Sequence, residues 1–244
     1  DIADSTKTLD VDGGTIKLDG NYPTGSNNVA LGDAAFGSGN LTGGSNTAIG
    51  REASFSNTSG QHNVALGQSA NYAITTGGSN VGVGSQALRF NTTAANNTAV
   101  GYQAVYTNTT GTSNVGLGAY ALLSNTSASY NTAVGYQAML DNTTGQFNVG
   151  IGQMALANNT TADSNTAMGY QAGNLNTTGA NNTVIGFQCF EDNTTGAFNV
   201  AMGAKALASN TSSSENVAVG YQSLYSMSST GDANKSTAVG YKAG

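Results

Sequence analysis

One period governs this chain. An asparagine recurs at Asn28, Asn46, Asn63, Asn80, Asn97, Asn114, Asn131, Asn148, Asn165, Asn182, Asn199 and Asn216. The steps are 18, then ten of 17, then 20, where a degenerate thirteenth copy opens at Ser236. A strict short period outranks every other sequence signal, because each unit then has to adopt nearly the same shape and pack on its neighbours.

The columns within the unit are strict. Four residues after each opener stands a glycine: Gly32, Gly50, Gly67, Gly84, Gly101, Gly118, Gly135, Gly152, Gly169, Gly186, Gly203, Gly220 and Gly240. The residue before that glycine is always large and apolar, as at Leu31, Ile49, Val100, Val134 and Val239. Seven after the opener stands alanine, replaced only by Cys189 and Ser223. A second motif, Asn-Thr-Thr or Asn-Thr-Ser, opens at Asn57, Asn91, Asn108, Asn125, Asn142, Asn159, Asn176, Asn193 and Asn210.

Seventeen residues are too few for a helix pair, since helical repeats need about 33 or more. Around Val100 the chain alternates, with Thr98, Val100 and Tyr102 on one side and Ala99, Gly101 and Gln103 on the other. That is strand periodicity. The Asn-Thr-Thr-Gly stretches are turn chemistry. Each unit therefore reads as a short strand, a bend, a further short strand and a turn, and the stack reads as an all-β parallel β-solenoid. At about 4.8 Å per coil, thirteen coils make a rod roughly 60 Å long. The apolar column is expected to point into the coil. The glycine column marks a bend or a close backbone approach. The asparagines are expected to form an amide ladder. One thin coil shelters little apolar surface against the entropy of ordering it. Several chains are therefore expected to share a core, with the small residues Ala99, Gly101 and Ala104 letting subunits approach. Residues 1–27 read as an N-terminal junction or cap and residues 28–244 as the repeat domain.

Composition excludes several classes. Charged residues are 8 % of the chain, against roughly 25 % in an ordinary globular protein. The net charge of −6 argues against a nucleic-acid partner, which needs a basic surface. No stretch has the 18 or more apolar residues of a membrane span, and a single cysteine cannot form an intrachain disulfide. Neither catalysis nor a cofactor is expected. The one histidine, His62, lies in "SGQHN" with no motif around it and reads as an exposed turn residue. "GVGSQA" and "GLGAYA" fit a dinucleotide fingerprint, but a 17-residue period leaves no room for the helix that motif needs. The turns carry Asn and Thr where calcium-binding rolls carry Asp. Asp10, Asp12 and Asp19 read as a solvated junction surface, not a metal site. Cys189 reads as small buried packing. The Asn-Thr-Thr motif also matches the N-glycosylation acceptor pattern, which would mean dense glycosylation in a eukaryotic secreted protein and compositional coincidence in a bacterial or viral one. The aromatics Tyr102, Tyr136, Tyr170 and Tyr221, together with Tyr225, are the candidates for a glycan contact; packing between coils is the competing reading.

Runs such as "GANNTVIGFQ" and "NTAVGYQAMLDNTTGQFNVGIG" resemble repeats in fibre proteins of tailed bacteriophages, particularly marine and cyanobacterial phages. "LDVDGGTIKLDGNYPTGSNNVALGDAAF" is similar to the lead-in to such repeats. The unit also resembles the head repeats of trimeric autotransporter adhesins, although those units are usually shorter than 17 residues. The resemblance spans residues 9–244. It implies a homotrimer of left-handed parallel β-rolls in a virion fibre, or on a bacterial cell surface. It also implies contacts with other virion proteins at the N-terminal junction and beyond Gly244, where a cap or further segment is expected.

Two functions follow as expectations. The first is a non-enzymatic structural shaft or arm that supports host attachment. The alternative is an adhesin-like head module that binds a host-surface glycan or protein, with its site at an irregular place such as Glu52–Asn63 or the long step between Asn216 and Ser236. Stacked threonines suggest a weaker third reading, ice binding, but neighbours such as Thr109 and Thr110 alternate in direction.

Overall fold

A computed structural model describes Gly25, residues 27–226 and residues 235–244. Thirteen strands of three residues each run from β1 (Val29–Leu31) to β13 (Thr237–Val239), all in one parallel sheet whose strand order is the sequence order. Each strand pairs with its counterpart one repeat away: β5 (Thr98–Val100) sets Ala99 beside Gly82 on one side and Gly116 on the other. Sequential parallel pairing requires the chain to travel once round between strands, so each repeat is one coil of a β-solenoid. The remaining residues of each coil are turns; among the described residues there is one strand per coil, and the second short strand expected from the sequence does not form.

The bends come from left-handed backbone. In the coil opened by Asn97, Asn96, Gln103 and Val105 have φ of 61°, 51° and 52°. Gly101 has φ of 136°. Non-glycine residues rarely adopt positive φ, least of all a β-branched one such as Val105. Here three columns do so in coil after coil, held by bonds to the coils on either side. The Gln103 amide donates to the Ser85 carbonyl and the Val105 amide to the Ala121 carbonyl, at 3.1 and 2.8 Å.

The interior inverts the expected orientation of the strand. In β5 the middle residue, Ala99, is fully buried, while Thr98 is half-buried and Val100 is 38 % exposed. The same pattern recurs along the sheet, so the large apolar column points outward and the small residues point in. Ala104 is also fully buried inside its own coil. The Ala99 and Ala104 columns are therefore this chain's own core and not a surface between subunits. The physical reason is width: an interior enclosed by 17 residues holds small residues at two positions in nearly every coil and one or two larger side chains, as where Val184 joins Phe190 or Leu41 joins Phe36. The recurring larger side chain stands eight residues after the opener, as at Phe36, Leu88, Val105, Leu122, Met139, Leu156, Phe190 and Leu207, all essentially buried. In two successive coils the position holds Ser54 and Asn71, and there the apolar core divides into two clusters, one ending at Ala70 and one beginning at Ala87.

Candidate functional site

The two asparagine columns form the spine of the rod. Each opener accepts from the next coil: the Asn148 amide donates to Asn131 Oδ1 at 3.0 Å, and Asn131 Nδ2 donates to the Gly145 carbonyl at 2.8 Å. The second column bonds amide to amide. Asn125 Nδ2 donates to Asn108 Oδ1 at 2.8 Å, Asn159 to Asn142 at 2.9 Å and Asn193 to Asn176 at 2.7 Å. All of these asparagines are buried. Their side-chain nitrogens are occupied and shielded, which overturns the dense-glycosylation reading of the Asn-Thr-Thr motif. Beside them runs a threonine ladder, in which Thr109 Oγ1 donates to the Thr126 carbonyl at 3.0 Å and Thr143 Oγ1 to the Thr160 carbonyl at 2.9 Å. Those hydroxyl protons are spent on the coil's own backbone.

The glycine column is a close approach as well as a bend. A Cβ on Gly101 would lie 2.6 Å from the carbonyl carbon of Gly118, and the column repeats this contact along the stack.

Of the tyrosines singled out from the sequence, Tyr102, Tyr136, Tyr170 and Tyr221 stand five residues after their openers, exposed by 40 to 47 %. Tyr225 stands in a different column and is not brought together with them. The rings largely engage one another. Tyr102 and Tyr136 both meet Tyr120 edge-on at 5.4 and 5.9 Å, and Tyr170 stacks on Phe187 at 5.4 Å. Tyr221 stacks on Tyr241 at 5.4 Å. Rings repeated from coil to coil cover each other's faces, so the packing role accounts for much of their surface.

His62 is exposed in its turn. Cys189 is buried, its thiol 3.2 Å from the Ala201 carbonyl and 3.4 Å from that of Ala206; burial pushes its pKa up to about 12, against smaller opposing effects of the backbone contacts. "GVGSQA" and "GLGAYA" form strand and turn, with no helix following. Among the described residues no group of three or more His, Cys, Asp or Glu side chains could hold a metal, and no helix is long and apolar enough to cross a membrane. Asp10, Asp12 and Asp19 lie outside the described residues, as does much of the long step before Ser236.

The largest feature is the outer face of the sheet. Of the 21 large hydrophobic residues exposed among the described residues, 18 stand at the two outward positions of a strand or at the positions flanking it; Phe90, Leu175 and Tyr225 are the exceptions. Leu31, Leu66, Val100, Leu117, Met168, Met202 and Val239 form its centre line, and Tyr130, Phe147 and Phe198 its upstream flank. Contiguous apolar patches beyond a few hundred Å² are rare on monomers and mark contact surfaces.

An aromatic column that begins inside the Glu52–Asn63 stretch was not read from the sequence. Phe55, Tyr72, Arg89 and Tyr106 share one column, nine residues after their openers, with Phe90 beside Arg89. Their exact 17-residue spacing was the available signal, hidden because the column elsewhere holds Leu123, Ala157 or Glu191.

No protein-family model, curated protein or solved structure matches this chain. The geometry itself defines the class: a β-roll repeat protein, a parallel β-solenoid with one 17-residue coil per repeat.

Proposed function

We propose that this chain is a structural, non-enzymatic segment of a phage tail fibre. In this reading it is the shaft or arm, built as a homotrimer of left-handed β-rolls that meet through their outer sheet faces. The observation that carries the reading is the concentration of exposed apolar side chains on one face along the whole stack. The strands supply only Val, Thr, Leu, Ile and Met to that face, so its centre line has no charge to desolvate. A second and third copy with the same 17-residue spacing match it coil for coil. The sequence resemblance to phage fibre repeats supports the virion setting. Even spacing supports a mechanical role, since twelve coil-to-coil contacts of nearly the same kind give stiffness along the rod.

Native mass spectrometry at micromolar concentration tests the assembly. The expected species is a trimer, and the double variant Val100→Glu, Leu117→Glu is expected to give monomers whose far-ultraviolet circular dichroism is unchanged. A monomeric parent chain would defeat the reading. Projection images of intact particles test the setting: the rod is expected within a tail-attached fibre, and its absence there would remove the virion assignment.

A further inference from the structure

We propose that the Phe55–Tyr72–Arg89–Tyr106 column is a binding site for a carboxylate-bearing sugar within a surface polysaccharide. The inference goes beyond the shaft role and does not rest on the oligomeric state, because the column lies off the apolar sheet face.

Three observations converge on these coils. The first is the aromatic column itself. Phe55 stacks on Tyr72 at 5.2 Å and 7° between planes, and Phe90 meets Tyr106 edge-on at 5.0 Å. The second is Arg89. Its guanidinium carbon lies 5.4 Å from the Tyr72 ring centre and 5.6 Å from that of Phe90, so aromatic rings flank the cation. No described residue gives the Arg89 side chain an ion pair or a hydrogen bond. The third is an unmet polar atom in the column itself. Arg89 Nε is buried without a partner; Ser54 Oγ and Asn71 Oδ1 are also unpartnered, but they belong to the core column inside the coil and do not face this surface. Unpartnered buried polar atoms are few in native proteins and ask for an explanation.

The chemistry points to the ligand. A guanidinium flanked by rings has its planar N–H edge left to offer, and that edge matches a carboxylate in a two-bond fork. The half-exposed rings offer flat apolar surface to the C–H face of a pyranose. One cation among several rings suits a ligand that brings flat ring surface together with its charge; an acidic peptide of the same charge would leave the rings unused.

Saturation-transfer NMR on the full chain, with titration, provides the test. Tetragalacturonate is the probe, its fully methyl-esterified form the uncharged control, and tetraglutamate the peptide control. Tetragalacturonate is expected to bind. Esterification and Arg89→Gln are each expected to weaken binding about tenfold or more, the scale of one charge-assisted fork. Arg89→Lys, which keeps the charge and packing stem but not the fork, is expected to weaken it less than Arg89→Gln and keeps the test open should the Gln variant fold poorly. Absence of transfer from tetragalacturonate, equal binding of the ester, an unchanged affinity in both Arg89 variants, or tighter binding of tetraglutamate would each overturn the proposal.

Discussion

Removing one rung of the buried asparagine spine tests how the rod is held together. Asn131 is fully buried in the seventh coil. Its Oδ1 is the hydrogen-bond partner of the Asn148 amide in the eighth coil, and its Nδ2 donates to the Gly145 carbonyl. In Asn131→Ala the two losses differ. The Gly145 carbonyl keeps a second donor, Asn142 Nδ2 at 3.0 Å, so that loss is worth about 1 kcal/mol net. The Asn148 amide keeps nothing, and a buried donor left unsatisfied costs about 1–3 kcal/mol. The sum is about 2–4 kcal/mol per chain, placed at one coil-to-coil boundary.

Because a solenoid is coupled chiefly through nearest neighbours, the damage should stay local. Amide hydrogen exchange at Asn148 is expected to accelerate about 30- to 700-fold, which is 2–4 kcal/mol at 1.4 kcal/mol per decade. Amides three or more coils away should change little. Thr144→Ala, an exposed control in the same turn, is expected to stay within about 0.5 kcal/mol. Exchange at Asn148 unchanged in Asn131→Ala would mean that the spine is a decoration on a structure held by its apolar columns alone.

Two further outcomes follow from the geometry. Gly101→Ala places a Cβ against the Gly118 carbonyl at a φ of 136°, so it is expected to destabilise by more than about 3 kcal/mol and to lower the melting temperature sharply; an unchanged melting curve would contradict the close approach. The Cys189 thiol, with its pKa pushed up to about 12 from 9.0, should resist alkylation at pH 8 in the native rod and react fully once unfolded. Its folded value lies above its unfolded one, so its contribution to stability is complete below about pH 9 and is lost as pH rises toward 12. Equal labelling rates in native and denatured protein would refute that placement.

The period, the parallel pairing and the asparagine ladders were legible in the sequence because each rests on a column of one residue type. The direction of the strand was not. Val100 and its equivalents are the largest apolar residues in the unit, and the ordinary rule places such residues inside. The rule fails here because the coil is too narrow, and Ala99 and Ala104 occupy the interior instead. The true large core column was hidden for a related reason: it runs through Phe36, Ser54, Asn71, Leu88, Val105 and Met139, which share a place and no chemistry. The bends were equally silent. Gln103 and Val105 adopt left-handed backbone only because neighbouring coils bond them there, and no local propensity announces it.

The inversion changes the reason for expecting more than one chain. From sequence, a slender coil is expected to be unable to shelter its own interior. The structure shows that it does shelter one, chiefly of alanines and one or two larger residues per coil, closed by buried amide ladders. What it leaves uncovered is a second apolar column, pointing outward along the same strands. An isolated rod gains nothing from Leu66, Leu117 or Met168 on that face, where threonine would keep the strand and stay soluble. The adjacent outward column shows the alternative in use, with Thr98, Thr132, Thr166 and Thr183 interspersed among valines. The column before the glycine never makes that exchange in thirteen coils. An outward position that holds a large aliphatic residue every time is not explained by the coil itself, and the proposed surface between sister rods would account for it.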